Sequence, residues 1–340
     1  MKQLQFLSAC LICLWSCVVS AQSDKPTMKA IVVHEYGGPE VLKLDDVPRP
    51  VPKENEILVK VIAAGVNPVD SAARSEKFAQ FLNIKLPAIP GYDIAGVIEK
   101  TGATVTKLKA GDPVYAYIAL DKGGGYAEYA LATEKETSPK PKSLNYVEAA
   151  AVPLVSLTAW QALIDTAKLS AGQAVLIHGG SGGVGSFAIQ IAKARGAKVF
   201  ATASTPNQDL LKQLGADVAI DYTKQKFEDV AKDVDVVLDA VGKDTLARSY
   251  GIVKKGGIIV SLVAQPDQAE LDKNGIRGAP LSVEPNSDEL AEITKLIDER
   301  KIKVIVSQTL PLAEAAKAQT QADTHHTRGK IVLKVAEEPK

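Results

Sequence analysis

One stretch of the chain, residues 174–195, constrains the fold more than any other, because an apolar strand, a glycine-rich turn and a helix follow one another there. The strand Ala174–Ile177 has no polar residue, as expected for a strand whose sheet is covered on both faces. In the turn, Gly180, Gly182 and Gly185 satisfy the pattern G-x-G-x-x-G. Glycines at this spacing let backbone amides and the helix N-terminus approach a pyrophosphate. The stretch therefore predicts a dinucleotide-binding βαβ unit.

The end of the following strand indicates which dinucleotide this unit binds. An NAD site usually carries Asp or Glu there, about 20 residues after the glycine turn, where the carboxylate accepts hydrogen bonds from the ribose. In this chain, residues 202–207 read Thr-Ala-Ser-Thr-Pro-Asn, without a carboxylate. Asp209 follows, and we expect its side chain to point into the next helix. Because hydroxyl and amide donors suit a 2′-phosphate that a carboxylate would repel, the predicted cofactor is NADPH rather than NADH.

The residue pattern divides the chain into two kinds of structure. Residues 28–152 read mainly as short, β-branched segments separated by glycine and proline, which is typical of a compact β-barrel. Residues 153–300 alternate apolar strands with amphipathic helices, which predicts an α/β domain with a doubly wound parallel sheet. Residues 301–340 return to strand-like sequence. We therefore expect this tail to rejoin the β domain, with the α/β domain inserted between the two parts.

The N-terminal segment up to Ala21 has the layout of a secretory signal peptide. Lys2 precedes an apolar run from Phe6 to Val19, and small residues follow. Two other interpretations stay open: lipoprotein processing at Cys17, and a true start of translation at Met28. The expected location is outside the cytosol, periplasmic or secreted, if the segment is an export signal, and cytoplasmic otherwise.

Composition removes several classes of function. The 40 basic and 40 acidic side chains cancel, whereas a nucleic-acid-binding protein needs a basic face. After the N-terminal segment, no apolar run approaches the roughly 18 residues of a membrane span. All three cysteines precede residue 21, so the rest of the chain has no thiolate for a disulfide, a metal or a nucleophile. The four histidines lack the spacing of a zinc-binding helix, and we predict no metal site.

Several separated motifs resemble the medium-chain dehydrogenase/reductase superfamily, and within it the zinc-independent NADPH:quinone oxidoreductase branch. The resemblance covers Met28 to Val335 and implies a GroES-like β-barrel catalytic domain beside a Rossmann nucleotide-binding domain. It also implies a homodimer that pairs through the edge of the nucleotide-domain sheet. The motifs that carry it are Met28-Lys29-Ala30, Ala64-Gly-Val-Asn-Pro-Val-Asp70, Pro90-Gly-Tyr-Asp-Ile-Ala-Gly96, the turn Gly180–Gly185 and Arg328-Gly329-Lys330.

The resemblance also bears on the chemistry, through three positions. In zinc alcohol dehydrogenases of this superfamily a cysteine and a histidine hold the catalytic metal, and the matching residues here are Asn67 and Tyr92, with the third ligand position near Leu154. None of these side chains suits zinc, and without a Lewis acid the oxidation of an alcohol loses its main electrostatic assistance. Hydride transfer to a quinone or an α,β-unsaturated carbonyl remains feasible, because the conjugated oxygen spreads the added charge.

The same resemblance assigns roles to individual residues. Asn67, Asp70 and Tyr92 are the catalytic candidates, and the Tyr92 hydroxyl or water would supply the proton. Ordinary structural roles stay open for several residues, since Tyr92 could pack in the β domain, Tyr222 could be a strand-end aromatic and Lys330 could be a surface charge. The expected cofactor-binding residues are Asn67, Pro68, Thr158, Gly180, Ser181, Gly182, Gly183, Val184, Ser204, Thr205, Tyr222, Val241, Gly242, Ser261, Leu262, Val263 and Lys330.

Two classes of function stay open on this sequence. The first is a zinc-independent, NADPH-dependent oxidoreductase that reduces small quinones or α,β-unsaturated carbonyls, without a decision between the two. The second is a protein that binds NADPH or a quinone without turnover, as crystallin relatives do. An exported protein sharpens the second hypothesis, because a compartment outside the cytosol is not expected to supply reduced dinucleotide.

Overall fold

The computed structural model describes residues 26–72 and 74–339. The predicted signal segment lies outside these residues. Within them, the strands form sheets of two, six and seven strands. The strands are β1 (Thr27–Val33), β2 (Leu42–Pro48), β3 (Glu56–Val66), β4 (Asp93–Thr101), β5 (Pro113–Tyr117), β6 (Tyr129–Thr133), β7 (Thr137–Pro139), β8 (Ala174–Ile177), β9 (Lys198–Ala203), β10 (Val218–Asp221), β11 (Val234–Asp239), β12 (Val253–Ser261), β13 (Arg277–Pro280), β14 (Val306–Pro311) and β15 (Lys330–Lys334).

The helices are mostly short and connect or cover these strands. None that the structure describes is long and apolar enough to cross a membrane. The α-helices are α1 (Pro68–Ala72), α2 (Glu76–Phe81), α3 (Tyr146–Ala150), α4 (Pro153–Trp160), α5 (Gly183–Ala194), α6 (Gln208–Gln213), α7 (Phe227–Val230), α8 (Lys243–Ser249), α9 (Gln268–Asn274), α10 (Ser287–Asp298) and α11 (Ala315–Ala322).

The six-stranded sheet is parallel throughout and has the order β10-β9-β8-β11-β12-β13. Its central strands β8 and β11 consist almost wholly of buried residues, because helices cover both faces of the sheet. The strand order reverses between β8 and β11, which is where an open α/β sheet binds its ligand. The glycine-rich turn leaves β8 at this point, and the predicted doubly wound α/β fold is confirmed.

The seven-stranded sheet is mainly antiparallel and runs β14-β15-β3-β4-β5-β7, with β6 paired to β3. Nine of the eleven residues of β3 are buried, because β4, β6 and β15 all pair with it. The tail strand β15 lies antiparallel to β3 and parallel to β14. The expectation of a GroES-like domain is confirmed in this sheet, and its strand β3 ends next to the glycine-rich turn.

One continuous core joins the two sheets. Tyr115 and Tyr117 of β5 pack in the same buried cluster as Leu157 of α4 and Ile293 of α10. The Tyr115 hydroxyl lies 2.8 Å from the Leu290 carbonyl oxygen and donates to it. The two halves of the molecule are thus held by buried apolar contact as well as by hydrogen bonds.

Two elements differ from what their residues alone predict. The pattern of residues 156–168 predicts a single helix, but α4 ends at Trp160 and a π-helical turn follows over Gln161–Thr166. The β-branched run at residues 304–306 predicts a strand, but β14 begins only at Val306. Lys303, three residues before β14, is bound by the Gln190 side chain of α5. The Lys303 N–H donates to Gln190 Oε1 at 2.7 Å, and Gln190 Nε2 donates to the Lys303 carbonyl at 3.0 Å. The backbone at Lys303 is therefore bound to a helix and not to a neighbouring strand.

Candidate functional site

A cleft of about 850 Å³ lies where the ends of β3, β8, β9 and β11 meet the tail segment before β15. Its volume is within the usual range of ligand-binding sites. Of the predicted site residues, those that line it are Asn67, Pro68, Ser181, Gly182, Gly183, Val184, Ser204, Tyr222, Val241, Val263 and Lys330. The predicted residues that do not line it are Asp70, Tyr92, Thr158, Gly180, Thr205, Gly242, Ser261 and Leu262.

The glycine-rich turn forms one wall of the cleft and cannot accommodate larger side chains at two positions. A Cβ on Gly185 would lie 2.2 Å from the Gly179 carbonyl oxygen, and one on Gly180 would lie 2.8 Å from a methyl of Leu211. These contacts are closer than Cβ atoms tolerate. The turn is therefore tight for steric reasons, and β8 and α5 are packed against each other through it.

The start of α5 presents free backbone donors to the cleft. The first helical hydrogen bond runs from Ser186 N–H to the Gly182 carbonyl at 3.0 Å. Among the described residues, the amides of Val184 and Gly185 donate to no backbone acceptor, and no side chain caps the helix, whereas Gly183 adjoins the parallel bridge between Gly182 and Gly329. Unpaired N–H groups at a helix N-terminus form an anion site. A dinucleotide pyrophosphate fits this wall in both shape and charge.

The end of β9 provides polar groups at another part of the cleft. Ser204, Asn207 and Tyr222 line it, and the Asn207 amide lies 3.2 Å from the Ser204 hydroxyl. The Thr205 hydroxyl instead donates a hydrogen bond to the Asp221 carboxylate at 2.6 Å. Hydrogen bonds from Thr205 and then Thr223 hold the pKa of Asp221 below its usual value. Thr205 therefore fixes the carboxylate rather than facing the cleft, and Asn207, which the sequence analysis did not include among the site residues, takes its place.

The end of β11 organises the opposite wall. Asp239 accepts hydrogen bonds from the Val241 and Gly242 amides at 3.0 and 2.8 Å, and from the Ser261 hydroxyl at 2.8 Å. These bonds hold the loop after β11 in place and tie it to the end of β12, and Val241 and Val263, which follow these two strands, are half-exposed on the cleft surface. Ser261 thus supports the wall from behind, and the apolar side chains provide the contact surface.

Four buried polar side chains lie below the end of β3. Asn67, Asp70 and Asp93 are fully buried and Lys330 is 4% exposed. The Asn67 Nδ2 donates to Asp93 at 2.9 Å, and the Lys330 ammonium donates to the Asn67 Oδ1. Burial raises the pKa of Asp93 and lowers that of Lys330. Lys330 is therefore neither a solvated surface charge nor a free cation in the cleft.

Asp70 supports the same region from behind the cleft. One carboxylate oxygen accepts the Asn67 backbone N–H at 2.7 Å and the Tyr126 hydroxyl at 2.6 Å, while the other has no partner among the described residues. Burial raises the pKa of Asp70 to about 7, against the opposing effect of these two hydrogen bonds. Asp70 holds the turn between β3 and α1 and does not reach the cleft.

Tyr92 and Thr158 also do not line the cleft. Tyr92 is 1% exposed and packs in the core beside Tyr117. Burial, and then the charges of Asp70 and Asp121, raise the pKa of Tyr92 well above its usual value, so the phenol stays protonated. The Thr158 hydroxyl donates to the Leu154 carbonyl one turn earlier in α4, at 2.7 Å.

Two of the segments that bring unassigned residues to the cleft contribute basic or titratable side chains. His325 and His326 line the cleft from the tail segment, and Lys243 and Arg248 line it from α8. Arg248 is bound by Glu228 and Asp244 on the protein side. The two histidines stand directly before the Thr-Arg-Gly-Lys motif of the tail, and that proximity was the one sequence signal that could have identified them.

Two of the positions that the resemblance matches to zinc ligands, Asn67 and Leu154, are engaged in hydrogen bonds within the protein. The Asn67 carboxamide is engaged by Lys330 and Asp93, and Leu154 contributes its backbone N–H to Asp93 at 2.7 Å. Across the described ranges, no group of three or more His, Cys, Asp or Glu side chains gathers where it could hold a metal ion.

Comparison with known proteins gives consistent matches along the chain. Residues 53–142 match the alcohol dehydrogenase GroES-like domain, and residues 214–333 match the zinc-binding dehydrogenase family. The chain is 40% identical to an NADPH-dependent alkenal/one oxidoreductase of Arabidopsis thaliana, over 93% of this chain and 82% of that protein. It is 37% identical to the quinone oxidoreductase of Mus musculus, over 89% of this chain and 96% of that protein.

Solved structures give the same result. The quinone oxidoreductase from Coxiella burnetii superposes with a TM-score of 0.85 and 37% identity, over 91% of this chain and all (100%) of that chain. The Escherichia coli quinone oxidoreductase, solved in complex with NADPH, has a TM-score of 0.82 and 30% identity, over 90% of this chain and 100% of that chain. The chain therefore belongs to the medium-chain dehydrogenase/reductase superfamily, and within it to the quinone oxidoreductase branch.

Proposed function

We propose that this protein is an NADPH-dependent oxidoreductase that reduces quinones or α,β-unsaturated carbonyls by hydride transfer. One observation carries the proposal: the free amides of the glycine-rich turn and the end of β3, with Asn67 and Pro68, line the same cleft. A cofactor held by its phosphates at the turn has its reactive ring within the same enclosure. The names of the relatives, alkenal/one and quinone oxidoreductases, support this choice of acceptor.

The proposed binding mode uses the three walls in different ways. The amides of Val184 and Gly185 bind the pyrophosphate through hydrogen bonds and the helix dipole. Ser204, Asn207 and Tyr222 bind the 2′-phosphate end with neutral donors. The bound cofactor supplies the hydride.

We assign no side chain as the proton donor to the reduced acceptor. Val241 and Val263 offer apolar surface in the cleft, which would limit the access of bulk water to a bound nicotinamide. The phenol of Tyr92 is buried outside the cleft, which argues against it as the proton donor. We assign protonation of the reduced acceptor to a water molecule that enters the cleft, which needs no titrating side chain at this position.

The decisive experiment is a substrate panel with NADPH and NADH side by side. The expected result is consumption of NADPH with 1,4-benzoquinone, a short-chain enone or both, and slower consumption of NADH. Tight NADPH binding without consumption on either class of acceptor would instead support a binding protein without turnover. Activity with an enone but not with a quinone, or the reverse, decides between the two acceptor classes.

A homodimer through the edge of the six-stranded sheet is part of this proposal. β13 is the last strand in the order and pairs with β12 alone among the described strands. Its second edge is free to pair with the same strand of another copy, which would satisfy its backbone groups. Light scattering coupled to size exclusion should give twice the chain mass, and a monomeric mass would contradict the assignment.

Export is the remaining part of the proposal and depends on the segment up to Ala21. Its charge and hydropathy layout supports cleavage by a signal peptidase. Mass spectrometry of the natively expressed protein should find an N-terminus at Gln22 if the segment is removed. An intact N-terminus, a start at Met28 or a lipidated Cys17 would each replace this assignment.

A further inference from the structure

The Lys330 ammonium is enclosed by protein acceptors. It lies 2.6 Å from the Val66 carbonyl oxygen, bonds the Asn67 Oδ1 and lies 3.5 Å from Asp93 Oδ2. An ammonium has three donor hydrogens, and these three acceptors use all of them. Although Lys330 borders the cleft, its hydrogens are therefore committed to the protein.

Asp93 completes the enclosure from a third element. One carboxylate oxygen accepts the Leu154 N–H in the first turn of α4 at 2.7 Å, and the other accepts Asn67 Nδ2 at 2.9 Å. Lys330 lies on β15, Asn67 directly follows β3, and Leu154 lies on α4, which packs against α5. The network therefore connects β3 and β15 to α4. All of these side chains are buried, which means that solvent does not compete for their hydrogen bonds.

This pair of neighbours fixes which way the Asn67 carboxamide faces. In the observed orientation Oδ1 accepts from an ammonium and Nδ2 donates to a carboxylate. The flipped orientation would set donor against donor at Lys330 and acceptor against acceptor at Asp93, and it would take one hydrogen-bond partner away from each of these two buried charges. Only one Nδ2 hydrogen is used by Asp93, and the second is donated to no acceptor among the described residues.

We infer that Lys330 and Asp93 are positioning residues, which hold Asn67 as a hydrogen-bond donor to a carbonyl oxygen bound in the cleft. That oxygen belongs to the conjugated acceptor or to the nicotinamide carboxamide, both of which present the same carbonyl chemistry. The inference rests on the proposed function. A buried ion pair gives little net stability compared with uncharged groups of the same shape. The orientation of the Asn67 amide, in contrast, decides whether this side chain can donate a hydrogen bond into the cleft.

The test is the double variant Asp93→Asn with Lys330→Met, which removes both charges and nearly keeps the volume. An amide at position 93 offers both a donor and an acceptor, so Asn67 can adopt either orientation. We expect kcat to fall about 10- to 100-fold with quinone and enone alike, the loss that a misplaced group causes. The dissociation constant for NADPH, measured by its fluorescence, should stay within about threefold, because the phosphates bind elsewhere. The melting temperature should not fall.

Two further variants separate positioning from packing. In the wild-type background, Asn67→Ala should lower kcat by a factor similar to that of the double variant. Added to the double variant, it should lower kcat only a little further, because Asn67→Ala and the double substitution remove the same interaction. Lys254→Met, which removes a cation from Asp235 at the far end of β11, should leave kcat unchanged. Wild-type kcat in the double variant, or full additivity with Asn67→Ala, would overturn the inference.

A readout independent of turnover distinguishes this inference from the proposed function. If the wild type consumed no NADPH with either acceptor, the proposed function would fail, but the orientation of Asn67 would still be measurable. Deuterium exchange of the Asn67 side-chain amide, followed by NMR, should be slow in the wild type and at least about tenfold faster in the double variant, since a held hydrogen exchanges only after local opening. Equal exchange in both would refute the inference.

Discussion

Replacing Gly185 by alanine should damage cofactor binding and stability together. The new Cβ would lie 2.2 Å from the Gly179 carbonyl oxygen and 2.7 Å from the Gly180 Cα. Both neighbours are backbone atoms, so no side chain can rotate away, and the turn itself must shift by roughly 1 Å to restore normal contacts. Overpacking of this kind costs about 1–3 kcal/mol, and a displacement of about 1 Å in a binding wall can cost on the order of 100-fold.

A matched pair of glycine variants tests whether the cause is steric. A Cβ on Gly182 would lie 3.4 Å from the Gly179 carbonyl, an ordinary contact, but would stand in the cleft. Gly182→Ala should therefore weaken NADPH binding without lowering the melting temperature. Gly251→Ala, with no atom within 4 Å of the new Cβ, should change neither quantity.

The assays are fluorescence titration with NADPH and thermal unfolding of the same samples. For Gly185→Ala we expect the dissociation constant to rise about 10- to 100-fold and the melting temperature to fall by roughly 2–4 °C for each kcal/mol lost. Wild-type affinity in Gly185→Ala would refute the steric argument. Loss of stability in Gly182→Ala would show that the turn is sensitive for a different reason.

Three further predictions concern the other parts of the site. Ser204→Asp should raise the KM for NADPH about tenfold or more, with little effect on the KM for NADH, because a carboxylate repels the 2′-phosphate. Steady-state kinetics with both cofactors measures this, and an unchanged ratio of the two KM values would mean that the 2′-phosphate lies elsewhere. Asp70 has its pKa raised to about 7 in the folded protein, from 3.8, so its contribution to stability is complete below about pH 4 and is lost as the pH rises through 7. Denaturant unfolding at several pH values should show a decline in wild type that Asp70→Asn reduces, and parallel curves would contradict the assigned shift. Tyr92→Phe should keep kcat within about threefold, since the hydroxyl lies outside the cleft; a loss of 100-fold would restore Tyr92 as the proton donor.

The sequence predicted best what is set by neighbouring residues. The turn between β8 and α5 is local, and its glycines, the apolar strand before it and the helix after it all indicate the same unit. The parallel sheet follows from the same kind of evidence, because fully apolar short strands need cover on both faces. These parts needed no information about distant contacts.

Side-chain roles were harder to predict, because each hydroxyl or charge has competing partners. Thr158 and Thr205 were expected to bind the cofactor, but their hydroxyls donate hydrogen bonds to the Leu154 carbonyl and the Asp221 carboxylate. Lys330 was assigned to the cofactor or to the surface, whereas its partner Asn67 lies 263 positions earlier in the chain. A contact over that separation depends on the register of β15 against β3, which no local pattern specifies.

The pairing of β15 with β3 has a consequence for biosynthesis. β3 is made early and β15 very late, yet Lys334 pairs with Ala63 and the Gly329 N–H is held by the Ser181 carbonyl at 2.8 Å. The barrel and the glycine-rich turn therefore stay incomplete until nearly the whole polypeptide has emerged from the ribosome. Nascent or C-terminally clipped chains should expose an open edge of β3, which makes them targets for chaperones and proteases and unable to retain a dinucleotide.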